Sequence, residues 1–598
     1  MTGASAPAPR PLTRDLWLAA ALALGVMAVM LAIYWPAIAT MGFRDGDDAL
    51  RLVQVRDLIA GQSWFDTTQY RINPPSGGLM HWSRLIDAQI AALILMLEPL
   101  IGRAAAEQWV VALYPPLLLL PLFLAIALVL RRLSDDRAVV ATGLLFAATT
   151  VTFLHYFVPL RIDHHNWQTI LSTLMLAIAL GAADRRHGLL AGAVMSLHLV
   201  VSLEALPYLL LFGGIFALAW LRDAAAGARF LSFVATLALG APLLLLATRG
   251  WDGVAGDWCD AWSRPFQSGA AVAALILIGG ARLAPVRRDW RVRFGLIAVA
   301  GAAGAAVFAW QNPLCLAGPF GALEPLVRDY WYVNVLEGRP VWRQAAPAMA
   351  LLLAPSLVGL ALCWRIWRRA APGPAKARWE TMLIVLAASC LLSVLIARTT
   401  AVTHVYALPA LALTGVALWR HGQSRRSPLA RIGASLAVLL VVPPVLGQIA
   451  TSAVGMIAPA TRTEKKPVAP CPAPADLALL ARRATGLVLS GIDIGPMLLV
   501  ATPHAVVATG HHRNHAAMNR VIGAFAATPA DAEAIVAAAR ADYLFVCPGQ
   551  PEMENVAKSF PAGLAAVLAS ERVPSWLEPV AMPQRSAGRL YRVRRGGS

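Results

Sequence analysis

Four groups of polar residues interrupt a largely apolar chain, and their side chains are of the kinds that hold a divalent cation or a phosphate. Arg44-Asp45-Gly46-Asp47-Asp48 puts three carboxylates within four residues. Asp47 or Asp48 would cap a helix from Ala49 to Ala60 that Gly61 stops. Three acids exceed what one cap requires, and the surplus offers hard oxygen ligands or a general base. Arg161-Ile162-Asp163-His164-His165-Asn166 is the second group. Asp163 or Asn166 would cap the helix that follows and the histidines would suit a headgroup interface, yet a carboxylate and an imidazole two residues apart can also meet one ion. Glu337 is the third, in the aromatic-rich run Tyr332 to Trp342, where Arg339 or Arg343 offers a plain salt bridge instead. The fourth is basic: Arg398, followed by His404 and Tyr406. An arginine at that end of an apolar span needs an anion; a lipid phosphate fits, and the competing reading is a structural partner such as Asp87 or a snorkelling side chain.

The elements that must position these groups are mostly membrane helices. Of 598 residues, 58% are hydrophobic and only 14% charged, well below the quarter typical of soluble domains. The net charge of +18 suggests nucleic acid, but the arginines lie in short clusters between apolar runs, as in cytoplasmic loops. Leu16 to Thr40 is too long for a signal peptide and reads as a retained first span. About thirteen spans follow from hydropathy and charge, near 16–40, 109–130, 138–158, 167–183, 188–203, 205–221, 230–248, 270–284, 294–310, 346–366, 380–397, 405–419 and 430–450. The stretch 86–101 is apolar enough to be another. Were it to cross, the cluster Arg131 to Arg137 and every later one would face outward, so it is read as an interfacial or re-entrant helix. Two large outer loops result, 41–108 and 311–343, and all the polar groups above fall on the outer side.

Residues 1–458 therefore form the membrane domain. Residues 459–598, beginning after the linker Thr461–Pro467, form an outer α/β domain with strand-like runs at 487–489, 505–507 and 543–546. Thr528-Pro529-Ala530-Asp531 opens a helix there, with a cap residue, Pro at N1 and an acid at N3. Cys259 and Cys315 lie in outer loops and Cys471 and Cys547 in the outer domain, so an oxidising compartment permits the pairs Cys259–Cys315 and Cys471–Cys547. His511, His512 and His515 crowd one loop; zinc is one reading, but no Cys or acid sits at a suitable spacing, and a loop facing an acceptor or plain solvent exposure are the others.

In this pattern the chain resembles the catalytic subunit of single-subunit bacterial and archaeal oligosaccharyltransferases, and more broadly the GT-C class of polyprenyl-phosphate-dependent glycosyltransferases. Asp47-Asp48-Ala49-Leu50-Arg51 looks like the start of the family's first outer loop, continued by Trp64-Phe65-Asp66 and Pro74-Pro75-Ser76-Gly77. Asp163-His164-His165 is similar to its second acidic motif. Glu337-Gly338-Arg339-Pro340-Val341-Trp342 is similar to the fifth-loop motif. Arg398, ahead of Tyr406 and Pro409, matches the arginine that contacts donor phosphate. Val488-Leu489-Ser490-Gly491-Ile492-Asp493-Ile494-Gly495 occupies the place of the Trp-Trp-Asp-Tyr-Gly motif, without its tryptophans and tyrosine, which in the family recognise the asparagine acceptor sequence.

The resemblance implies a mainly α, GT-C fold with a periplasmic α/β domain, in a bacterial inner membrane with the N-terminus cytoplasmic. It implies Mg²⁺ or Mn²⁺ held by Asp47, Asp163, His165 and Glu337, with Asp47 or Glu337 acting on the acceptor. Donor phosphate would meet Arg398, His404 and Tyr406, and the acceptor Asp48, Asp493, His511 and His512. The expected reaction moves a sugar or oligosaccharide from a polyprenyl phosphate or pyrophosphate to a protein, lipid or glycan acceptor outside the membrane. A polyprenyl-monophosphate-sugar transferase acting on an envelope glycan or lipid is the nearest alternative. A lipid-linked glycan flippase is a more distant one, because it calls for ionisable groups buried in mid-span.

Overall fold

Each of the thirteen apolar runs is helical in the computed structural model, which describes residues 12–457, 471–584 and 586–594. The linker Thr461–Pro467 and the expected boundary at 458/459 lie outside the described residues. Among the described residues, eight helices are long and apolar enough to cross a membrane, and ten if two bent pairs each count as one. The bends, of 56° and 84°, fall between Arg137–Thr149 and Val151–Phe157 and between Pro428–Val441 and Pro443–Met456. The remaining three, His165–Ala179, Arg185–Val201 and Arg264–Gly280, have 15, 17 and 17 residues. At 1.5 Å per residue they reach roughly 22–26 Å, short of a hydrocarbon core of about 30 Å.

The basic loops share one face. Arg131 pairs with Asp15 at the start of the first helix (3.4 Å), so the 131–137 loop sits beside the N-terminal end of the chain, as the non-crossing reading of 86–101 requires. Arg378 reaches the Arg132 carbonyl (2.9 Å), Arg222 pairs with Glu380 (2.8 Å), and Arg420 pairs with Asp136. The helix Arg84–Ile101 lies within the first outer loop and is not among the eight long apolar helices.

On the opposite face lies the α/β domain. Strands β1 (Thr68–Gln69) and β2 (Gly78–Leu79) make a small hairpin in the first outer loop. The domain's five-stranded sheet runs β4-β3-β5-β7-β6. Its strands are β3 (Leu487–Ser490), β4 (Ala505–Val506), β5 (Tyr543–Val546), β6 (Leu577–Val580) and β7 (Arg589–Val593). The pairings of β3 with β4 and β5 are parallel; those of β7 with β5 and β6 are antiparallel. Thr528 caps the helix Pro529–Ala538 by accepting from the Asp531 amide. Both disulfides are present, with Cα–Cα distances of 4.9 Å for Cys259–Cys315 and 5.9 Å for Cys471–Cys547.

The first outer loop is built into this domain rather than draped over it. Ile72 bridges Val506 at the open edge of β4, the Asn73 and Val506 amides both taking part (2.8 Å each). Leu50, Val53, Ile72, Met80 and Trp82 share one apolar cluster with Val488, Leu498 and Phe545. The second outer loop inserts Leu323 and Val327 into the other side of the domain core. Two loops are thereby fixed over the outer mouth of the helices, and their acidic residues are held in place by burial elsewhere in the same loops.

Candidate active site

Asp45, not Asp47 or Asp48, caps the helix Gly46–Ile59, accepting from the Asp47 amide at 2.9 Å. That leaves Asp47 uncommitted. Asp48 is fully buried, and its carboxylate is spent on Arg161 (3.0 Å) and on the Asp163 amide (2.9 Å). It therefore joins the two acidic segments and is not presented to an acceptor, correcting that expectation. Asp47, one residue earlier, lies within the fields of Asp45, Asp163, Asp48 and Glu337. Burial first, and then these four carboxylates, push its pKa well above the ordinary range.

Asp163 is gripped from several sides. Its Oδ1 faces His164 Nδ1 (2.5 Å) and Arg51 Nη2 (3.3 Å), and its Oδ2 lies 3.3 Å from His165 Nε2. Burial alone would raise its pKa, but His164, His165 and Arg51 outweigh it and hold the carboxylate ionised. Arg51 lies over the Trp82 ring (4.4 Å) and also pairs with Asp87 (2.8 Å), which Arg84 and Gln54 bind as well. Asp87 thus serves Arg51, and is not the partner of Arg398.

His165 bonds through Nδ1 to Gln168 Oε1 (3.0 Å). A carbonyl oxygen only accepts, so Nδ1 carries a proton, and Nε2 is the nitrogen turned toward Asp163 Oδ2 at 3.3 Å. The Gln168 contact is the kind of outer bond that orients a metal-binding imidazole. Asp163, His164 and His165 each place a ligand atom within 4.8 Å of the others. Together with the unneutralised charge around Asp47, this donor set fits a divalent ion.

Arg398 lies at the outer start of the helix Thr400–Gln423 and points between two acids, Glu204 Oε1 (2.6 Å) and Glu337 Oε1 (3.7 Å). Glu204 was not anticipated. Its only signal is that it is the single acid between Arg186 and Arg222. It stands in a short turn whose amide is capped by Ser202 (3.3 Å), and its other oxygen is 4.0 Å from His165 Nδ1. A Cβ on Gly338 would come within 2.8 Å of Arg398 Nη2, which explains the glycine after Glu337.

Two cavities meet at Arg398 and Tyr156. One, of about 450 Å³, is lined by His165, Glu204, Tyr208, Tyr332 and Trp331. The other, of about 650 Å³, is walled by Thr152, Leu352, Pro355 and Pro443 and carries Glu337. Tyr406 lies away from this junction, fully buried and donating to the Ser172 carbonyl (2.9 Å) inside the bundle. His404 lines the second cavity, with both ring nitrogens bonded, to Thr152 (2.5 Å) and the Leu352 carbonyl (2.9 Å).

In the outer domain, Asp493 lies exposed on the loop after β3, close enough to Asp45 to feel its charge. The half-buried Glu552 accepts from the amides of Ile492 (2.7 Å) and Asp493 (3.3 Å). Burial, and then Asp493, push the Glu552 pKa up to about 8. His511 and His512 are not free for an acceptor: His511 is buried against His81, and His512 Nε2 bonds Asp260 (2.6 Å). His515 pairs with Glu324 (2.6 Å).

The whole backbone superposes on a known enzyme. The oligosaccharyltransferase AglB of Archaeoglobus fulgidus, solved with an inhibitory peptide and a dolichol-phosphate, matches with a TM-score of 0.61 over 95% of this chain and 72% of its own. This chain has the oligosaccharyltransferase fold. Sequence identity is 16%. The same archaeal protein tethered to an acceptor peptide containing the NVT sequon matches at 0.58 and 15% identity, over 92% of this chain and 71% of that one. Its complex with Zn and sulfate matches at 0.54 and 15% identity, over 94% and 71%. No family model and no curated protein matches the sequence. The GT-C architecture expected from the motifs is therefore the fold observed, with residues of the acidic motifs and Arg398 gathered at one mouth of the bundle.

Proposed function

We propose that the protein is a membrane glycosyltransferase that transfers a sugar or oligosaccharide from a polyprenyl-(pyro)phosphate to an acceptor on the outer face of a bacterial inner membrane. The observation that carries this reading is the Arg398 junction: one guanidinium between Glu204 and Glu337, at the meeting of two largely apolar cavities, beside Asp163 and His165. A lipid-borne phosphate needs this combination of a cation and apolar walls. The archaeal protein of like fold was solved with a dolichol-phosphate, which supports the donor class.

Asp47, Asp163, His165 and Glu337 would hold Mg²⁺ or Mn²⁺. When bound, the ion would neutralise negative charge developing on the leaving phosphate. Arg398, beside Glu337, would supply a second positive contact to that phosphate. Arg51 and Arg161 position the acids: Arg51 holds Asp163 while Arg161 holds Asp45 and Asp48. Asp47 or Glu337 would orient the acceptor nucleophile and take its proton. The Zn complex of the archaeal protein supports a metal-binding role for this fold.

A non-protein acceptor is favoured by one observation. Where the resembling family carries tryptophans, Gly491 has no side chain and Ile492 is buried in the outer domain's own core, so this motif offers no aromatic side chain of its own to a peptide. The two disulfides and the common face of the basic loops support an outer domain in an oxidising compartment.

The test is turnover by the purified chain with polyprenyl-phosphate and polyprenyl-pyrophosphate sugar donors plus Mn²⁺. Release of polyprenyl (pyro)phosphate that disappears in Asp163→Asn is the expected result. Equal release by the variant, or none by the wild type with either donor class, refutes the reading.

A further inference from the structure

A second group of potential ligands lies away from Asp163, where the first outer loop meets the outer domain. His81 precedes the helix Arg84–Ile101, and His511 and His512 sit in the loop after β4. His81 Nδ1 faces His511 Nε2 at 2.9 Å, and one ligand nitrogen from each of the three rings lies within 4.8 Å of the other two.

We propose that His81, His511 and His512 form a separate structural site for a zinc-type divalent transition ion. Imidazoles without carboxylates in the inner set select Zn²⁺-like ions over Mg²⁺ and Mn²⁺, which prefer oxygen. This site therefore takes a different metal from the one assigned to the carboxylates, and it stands whether or not that assignment does.

The surrounding bonds match what metal-bound histidines require. His512 gives Nε2 to Asp260 at 2.6 Å, leaving Nδ1 for an ion, and the carboxylate–imidazole contact is the usual outer bond of a zinc ligand. Asp260 is fixed in turn by two bonds from Arg513 (2.7 Å each), which uses the arginine's charge, and lies next to the Cys259–Cys315 disulfide. The His81 backbone carbonyl is held by Arg249. His511 turns Nε2 toward His81 and has no hydrogen-bond partner at Nδ1 among the described residues. Stacking, with ring centroids 5.1 Å and 5.0 Å apart for His81–His511 and His511–His512, brings the three rings together. Zn–N bonds of about 2.0–2.1 Å at tetrahedral angles separate two ligand nitrogens by about 3.3 Å. The 2.9 Å pair need open by only a few tenths of an ångström. An ion here would tie together the first outer loop, the outer domain and, through Asp260, the loop after the helix Gly227–Ala255.

The full-length chain in detergent, with excess Mg²⁺ present, is loaded with Zn²⁺, desalted and analysed for metal; Co²⁺ replaces Zn²⁺ in a parallel absorption experiment. Wild type and Asp163→Asn should both retain about one zinc per chain and show the intense visible bands of tetrahedral cobalt. His81→Gln and His511→Gln should lose both signals, and Asp260→Asn should bind zinc about 10–100-fold more weakly. Should a histidine variant fail to fold, the comparison of wild type with Asp163→Asn decides. Absence of retained zinc and of tetrahedral cobalt bands in wild type overturns the proposal. So does zinc that survives His81→Gln and His511→Gln, or that vanishes in Asp163→Asn.

Discussion

Removing the Arg398 guanidinium separates its two roles, holding acids and holding donor. In the folded protein Arg398 Nη1 pairs with Glu204 at 2.6 Å, but the Glu204 side chain is 38% exposed. A pair with that much water access contributes about 0–1 kcal/mol, so Arg398→Ala should shift Tm by only a few degrees. A charge-assisted contact to a substrate phosphate is worth about 1.5–3 kcal/mol. At 1.36 kcal/mol per tenfold, its loss lowers kcat/KM for the lipid donor by roughly 10- to 150-fold. Arg398→Lys keeps charge but loses the planar fork, and should fall between wild type and alanine. The control is the double variant Arg398→Ala/Glu204→Gln, which removes the acid left unpaired. If the arginine acts on the donor, the double variant stays as slow as Arg398→Ala. Turnover restored by Glu204→Gln, or a loss below about threefold in Arg398→Ala, would show that Arg398 merely neutralises Glu204.

Three further outcomes follow from the same geometry. Asp48→Asn breaks a fully buried pair that bridges Arg161 and the Asp163 amide, and should cost about 3 kcal/mol, read as a drop in Tm of the detergent-solubilised protein. His165→Ala should abolish turnover, whereas His404→Gln, altering a ring already bonded on both sides, should retain most of it; the reverse ranking in the donor-release assay would contradict the site. Glu552, whose pKa rises from 4.5 to about 8 on folding, favours the folded state while protonated. Its contribution is complete below about pH 4.5 and is lost as pH rises through about 8, so the fall in Tm across that window should be shallower in Glu552→Gln.

The helical architecture was legible because membrane helices are written in long apolar runs, and the common face of the basic loops because arginines concentrate at one set of helix ends. The non-crossing reading of 86–101 rested on charge alone, and it agrees with Arg131 lying beside Asp15 at the start of the first helix. Side-chain commitment was harder to read. Which of Asp45, Asp47 and Asp48 caps the helix depends on where the helix starts, and it starts at Gly46, three residues before Ala49. Tyr406 follows Arg398 by eight residues, so on a helix rising 1.5 Å per residue it lies about 12 Å deeper, inside the bundle, whereas His404, about 9 Å deeper, still lines the second cavity. Glu204 was hidden because a lone acid between two apolar runs has no pattern; only its packing against Arg398 and near His165 shows what it does. The histidines of the outer domain were set aside for want of a nearby ligand in sequence, and the residues that meet them, His81 and Asp260, lie hundreds of positions away.

Pulsed electron paramagnetic resonance of bound Mn²⁺ in protein carrying ¹⁵N-histidine tests the central claim, that separate acidic segments and His165 share one cation. The account predicts a directly bonded imidazole nitrogen whose signal vanishes in His165→Ala and whose Mn²⁺ affinity collapses in Asp163→Asn. A Mn²⁺ centre without nitrogen coupling, or one indifferent to both substitutions, would contradict it.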